Sequence, residues 1–84
     1  MRLDKFLKVS RIIKRRTVAN EACDTGRVSI NGKPAKPSAQ VKEGDILSIR
    51  MGGKTVSARI TSVLETAQKA DAASMYELLP EEPL

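Results

Sequence analysis

Residues 10–19 read SRIIKRRTVA, with four positive charges at Arg11, Lys14, Arg15 and Arg16 interrupted by Ile12 and Ile13. The chemistry open to such a cluster is anion recognition. An arginine offers two parallel hydrogen bonds to a phosphate, and a lysine supplies a compact point charge. Thr17 follows directly, and its hydroxyl is suited to cap a helix by accepting an amide hydrogen bond from the first turn. A helix start carries free amide groups and the positive end of the helix dipole, so Arg15, Arg16 and Thr17 describe a phosphate-binding corner. Two further basic groups stand apart in sequence: Arg2, Lys5 and Lys8 near the N-terminus, and Lys33 and Lys36 around an Asn-Gly turn. A surface of this kind reads the shape of a nucleic-acid backbone more than its base sequence.

Other chemistries find little support. The chain has no histidine, which removes the commonest general base and metal ligand. Cys23, the single cysteine, lies beside alanines and reads as a small buried side chain. Asp4, Glu21, Asp24, Glu43 and Asp45 form neither a paired-acid nor a metal-ligand pattern. GGKT at 52–55 resembles the end of a phosphate-binding loop, but that motif needs a glycine where Ser48 stands and a helix where a strand is expected. It reads as a hairpin turn. No catalytic residue, metal site or cofactor is expected.

Charge is distributed unevenly. Residues 1–42 carry eleven Lys/Arg against three acids, whereas residues 43–84 carry four against seven. One basic face that meets a polyanion accounts for this polarity. Phe6 and Tyr76 are the only aromatic residues, so base stacking on an aromatic platform is not the main contact. No apolar run approaches the ~20 residues of a membrane span. Lys5 and Lys8 interrupt any signal-peptide core, so a cytoplasmic protein is expected.

The elements that must position these groups fit one small domain of 84 residues, 40% of them hydrophobic. Leu3, Phe6 and Leu7 make the apolar stripe of a first short helix. Asp4 lies in its first turn, suited to the helix dipole and to holding a nearby arginine. The second helix is expected to start at Thr17, to bury Val18, Ala19 and Ala22 with Cys23 at the edge, and to end at Gly26. The period then changes to two. RVSIN is a strand, Asn31-Gly32 a tight turn, and KPAKPS an extended segment outside the ladder. Asp45 shapes the turn into a strand over Ile46–Arg50, MGGK turns the chain, and TVSARITSV forms a longer strand. The Ala-rich tail admits a helical turn, MYELL an edge strand, and PEEPL a frayed end.

The stretch from Arg2 to Arg50 resembles the S4-type RNA-binding domain. The resemblance rests on Arg-x-Asp-Lys at the start, Arg-Arg-Thr at helix two, Gly-Arg-Val-x-Ile-Asn-Gly at the turn, and the later Gly-Asp. It covers about residues 1–60. It implies an α+β architecture, the S4 (alpha-L) fold, with two N-terminal helices packed on a small twisted antiparallel sheet. Residues 1–64 would form this domain and residues 65–84 a short C-terminal extension.

Stand-alone members acting in bacterial ribosome-associated quality control are the most similar part of that family. The resemblance then implies a non-enzymatic, monomeric factor on large ribosomal subunits obstructed by peptidyl-tRNA. It would contact 23S rRNA and the tRNA and support alanine tailing by RqcH. Carried over by position, Arg2, Asp4 and Arg16 matter most for binding. Lys5, Arg11, Lys14, Arg15, Thr17, Lys33 and Lys36 are further candidate contacts. Asp4 either orients an arginine or accepts a hydrogen bond from an RNA hydroxyl directly. The alternative is a heat-shock S4-type factor that recycles blocked large subunits by moving their peptidyl-tRNA. The short acidic end favours the quality-control reading. RNA-modifying enzymes and synthetases also carry S4 domains, but this chain is too short for their catalytic domains. A protein-interaction role for the acidic half is compatible with RNA binding.

Overall fold

The computed structural model describes residues 1–64 and 69–80. Two helices open the chain, α1 (Leu3–Val9) and α2 (Arg16–Asp24). Strands β1 (Val28–Ile30), β2 (Lys33–Pro34), β3 (Ile46–Met51) and β4 (Lys54–Ile60) follow. A short helix α3 (Lys69–Ala72) and strand β5 (Tyr76–Leu79) complete it. The strands form one antiparallel sheet in the order β2-β1-β3-β4-β5. The expected α+β architecture is therefore present. The Ala-rich tail supplies α3 and MYELL supplies the edge strand β5, while residues 81–84 of the PEEPL end lie outside the described residues.

Helix α1 buries Leu3, Phe6 and Leu7 completely, the stripe its spacing predicts. Helix α2 faces it with Ala19, Ala22 and Cys23, whose small side chains let the two backbones approach. Two expectations for α2 are corrected. It begins at Arg16, with Arg15 as an extended N-cap that makes no side-chain cap bond. The Ala19 amide closes the first turn on the Arg15 carbonyl at 3.0 Å. Thr17 is thus inside the first turn and does not cap it. Val18 is also not part of the buried stripe; it is 49% exposed. Position 18 lies about a quarter turn from the centre of the face formed by 19, 22 and 23, so it stands at the edge of that face and stays half-exposed. Ile13 is buried against the same core and Ile12 packs partly against it. The core continues onto Val28, Leu47, Ile49, Ile60 and Met75 from the sheet side.

The turn Asn31-Gly32 has positive φ at both residues, 51° and 86°, the conformation that matches a hairpin to strand twist. Asn31 also fastens the turn to a neighbouring one. Its Oδ1 accepts from the Ile46 amide at 2.9 Å and its Nδ2 donates to Asp45 Oδ1 at 3.1 Å. Asp45 Oδ2 accepts from the Lys42 amide at 3.0 Å. KPAKPS does not stay wholly outside the ladder, because Lys33 and Pro34 pair with Ile30 and Ser29 as β2. Pro34 is tolerated there because β2 is an edge strand, which needs donors on one side only. Beyond β2 the chain turns back to the start of α1. Pro37 and Ala39 carbonyls accept from the Asp4 and Leu3 amides, and the Val41 amide donates to the Met1 carbonyl. Replacing Asn31 with alanine removes two hydrogen bonds and places a Cβ-bearing, non-bonding residue at positive φ. The expected loss is about 1–2 kcal/mol, read as a lowered urea midpoint at unchanged m-value.

Candidate nucleic-acid interface

The centre of the basic face is a buried carboxylate. Asp4 is 2% exposed, yet both of its oxygens are occupied. Oδ1 accepts from the Lys5 amide at 2.8 Å and from Arg2 Nε at 3.2 Å, and pairs with Arg16 Nη2 at 3.5 Å. Oδ2 accepts from Arg2 Nη2 at 3.3 Å and from Asn20 Nδ2 at 3.3 Å. Burial by itself would raise the carboxyl pKa. The Asn20 and Lys5 hydrogen bonds and the Arg16 and Arg2 charges outweigh it and hold Asp4 below its ordinary value. The carboxylate thus stays ionised and binds two guanidinium groups at once. Each of those arginine side chains remains about half exposed, so each keeps donors facing outward.

Beside this cluster is an open cleft of about 400 Å³ lined by Asp4, Arg16, Thr17 and Asn20. Arg16, Thr17 and Asn20 share the first turns of α2, where amide groups and the dipole favour an anion. Thr17 keeps its place in the candidate site through this cleft, although not as a cap. Asn20 is the residue that the sequence reading missed. Its i, i+4 spacing from Arg16 on α2 was the available signal, since such pairs share a helix face.

Arg11 is exposed and has φ 63°, directly after the C-cap Ser10. Glycine usually occupies this left-handed position after a helix, so an arginine here bears a backbone cost. Lys14 and Arg15 are exposed and rim a second open groove. Lys5 is half-buried on α1. Lys36 precedes Pro37, whose carbonyl receives the Asp4 amide, which brings that part of the loop to the α1 start. Lys33 is exposed on β2, at the outer edge of the sheet, so the third basic group is divided between two places. Arg2, Asp4, Arg16 and Thr17 are therefore assembled into one site, with Lys14, Arg15 and Lys36 on its approaches.

Elsewhere the chemistry is structural. GGKT spans the hairpin between β3 and β4, as its context indicated. Cys23 is buried, and burial, followed by the negative charges of Asp4 and Asp24, pushes its thiol up to about 11. Among the described residues no His, Cys, Asp or Glu group could hold a metal ion, and no helix is long and apolar enough to cross a membrane.

Comparison with known proteins gives a consistent picture. Residues 1–47 match the family model of the S4 domain. The chain is 57% identical to the RQC P-site tRNA stabilizing factor of Halalkalibacterium halodurans, across 100% of this chain and 96% of that one. It is 56% identical to the Bacillus subtilis protein of the same name, covering 100% and 98%. Among solved structures, heat shock protein 15 of Vibrio cholerae, described as a trimer, superposes with a TM-score of 0.86. That match has 30% identity over 94% of this chain and 81% of the other.

Two outcomes are expected from the site geometry. The lowered Asp4 pKa favours the folded state above the ordinary carboxyl value of 3.8, and this contribution is lost as pH falls through the lowered value. Asp4→Asn should therefore be less stable than wild type at neutral pH, with the gap closing in acid; urea titrations at several pH values measure this. Arg11→Gly should raise stability by about 0.5–1 kcal/mol through relief of the left-handed backbone. The same change should weaken RNA association, so melting temperature and affinity move in opposite directions.

Proposed function

The chain belongs to the S4 domain family, and from that premise we propose that it is a non-enzymatic RNA-binding factor of ribosome-associated quality control. It binds the large ribosomal subunit obstructed by a nascent chain on peptidyl-tRNA, contacts 23S rRNA and the tRNA, and supports RqcH-driven C-terminal alanine tailing. It works as one copy in the cytoplasm. Residues 1–64 carry the RNA contacts, and the short C-terminal extension contributes β5 (Tyr76–Leu79) to the sheet.

The observation that carries this reading is the Asp4 cluster. A polyanion needs cations held at fixed separation, and four mutually repelling side chains on a loop do not supply that alone. Asp4 sets Arg2 and Arg16 in place, with the α2 start beside them. Arg11, Lys14, Arg15, Lys36 and Lys5 extend the cationic field, and Lys33 serves as an outlying contact. Full-length similarity to proteins named for stabilising P-site tRNA supports the biological setting. The likeness to heat shock protein 15 favours a second reading, recycling of blocked large subunits by movement of their peptidyl-tRNA. The lower identity to that protein, 30% against 57%, ranks it second.

Capture of the tagged protein from cells tests the proposal. Large subunits bearing peptidyl-tRNA together with RqcH should co-purify, whereas large subunits with tRNA but no RqcH would favour recycling. Arg16→Ala should reduce capture severalfold and lower stability by only about 1–2 kcal/mol, because the buried Asp4 carboxylate keeps Arg2, Asn20 and the Lys5 amide as partners. The log–log salt slope of binding should fall by about 0.7–0.9 for the lost phosphate contact.

A further inference from the structure

Lys14 and Arg15 border a second groove whose floor is apolar. Ile12, Ile13, Val18 and Met51 line it, and its volume is about 400 Å³. Three large apolar side chains are exposed among the described residues, namely Val18, Met51 and Leu78, and two of them meet here. Val18 is also the residue at the edge of the inner face of α2. Met51 ends β3 and pairs in register with Lys54, so a third cation stands on the same side of the sheet beside the floor. None of the lining residues is acidic. The rim of this groove and the Asp4 cleft are lined by successive residues of the chain, Arg15 and Arg16.

We propose that this groove receives one unstacked nucleobase of the bound RNA, with the adjoining phosphates held by Lys14 and Arg15. The proposal rests on the RNA-binding reading above and adds a base-contacting subsite to it. An apolar floor between cations matches a nucleotide in an unpaired stretch, which presents a flat aromatic face between two negative charges. The chain lacks an aromatic platform at this place, and the methionine supplies its substitute. Its thioether is polarisable, adapts its rotamers, and packs favourably against aromatic rings. Apolar wedges of this kind contact exposed bases without reading their hydrogen-bonding edges. The subsite would therefore favour a flexible or bulged position over a continuous helix, with little preference among the four bases. Charge complementarity, a rim of Lys14 and Arg15 with Lys54 opposite Met51 and no lining carboxylate, favours RNA over a protein segment as the occupant.

Photocrosslinking tests this on large ribosomal subunits carrying peptidyl-tRNA. p-Benzoylphenylalanine replaces Val18 or Met51 in separate proteins, and Leu78 in a control. Covalent adducts on an RNA nucleobase from positions 18 and 51, and not from 78, are expected. Val18→Ser combined with Met51→Ser should weaken subunit binding about tenfold, the scale of one lost base contact, and leave the salt slope unchanged. Both side chains are exposed, so the doubly substituted protein retains its core. Adducts confined to ribosomal protein would make the groove a protein contact and overturn the proposal. Normal salt-dependent binding with no adduct at 18 or 51, or no loss in the double variant, would overturn the subsite and leave the RNA-binding function standing. Failure of the unsubstituted protein to bind these subunits would overturn both.

Discussion

The arrangement of the basic face depends on one buried negative charge. Asp4 is the only carboxylate within salt-bridge distance of Arg2 or Arg16 among the described residues, and it binds both. Desolvating a carboxylate is expensive, and a single partner seldom offsets it. Here the Lys5 amide, Asn20 and two guanidinium groups share that task. The result is a cation pair whose positions are set before any ligand arrives. Binding a polyanion to such a pair costs less side-chain ordering than binding it to mobile arginines.

That interaction in turn requires close contact of α1 and α2. Asp4 belongs to α1, while Arg16 and Asn20 belong to α2. The alanines and cysteine on the inner face of α2 keep the helices near enough for side chains to meet across them. Cys23 belongs to this thin face as a buried packing side chain, and burial pushes its thiol pKa up to about 11. The loop over residues 37–41 completes the frame by taking up the α1 amides of Leu3 and Asp4. The start of α1 is thereby occupied by protein carbonyls, which leaves the α2 start as the end available to an anion.

Much of this was legible in the residues. Leu3, Phe6 and Leu7 announce α1 by spacing alone, and Asn31-Gly32 announces its hairpin because few other pairs accept two positive φ values. Alternation marks β3 and β4. The misreadings occurred where local preference and packing compete. Thr17 is a good capping residue, but the chain enters the helix one residue earlier. Val18 looks like core, yet it stands at the edge of the face selected by α1. Lys33 and Pro34 carry a poor strand signal and still pair, because the tight turn before them delivers the chain back to β1. Arg11 gives no local signal of its left-handed conformation.

Most of the helices, strands and turns, the basic character of the first half, and the kind of ligand that such charges attract are written in the residues themselves. Those follow from short-range periodicity, turn chemistry and charge count, which act between neighbours in the chain. Packing of the folded chain is what buries Asp4 between Arg2 and Arg16, adds Asn20 to them, and sets Val18 and Met51 around one groove. These partners are separated by up to tens of residues. Their contacts exist only once α1, α2 and the end of β3 share one core, because hydrogen bonds and desolvation act over a few ångströms of space, whatever the distance along the chain.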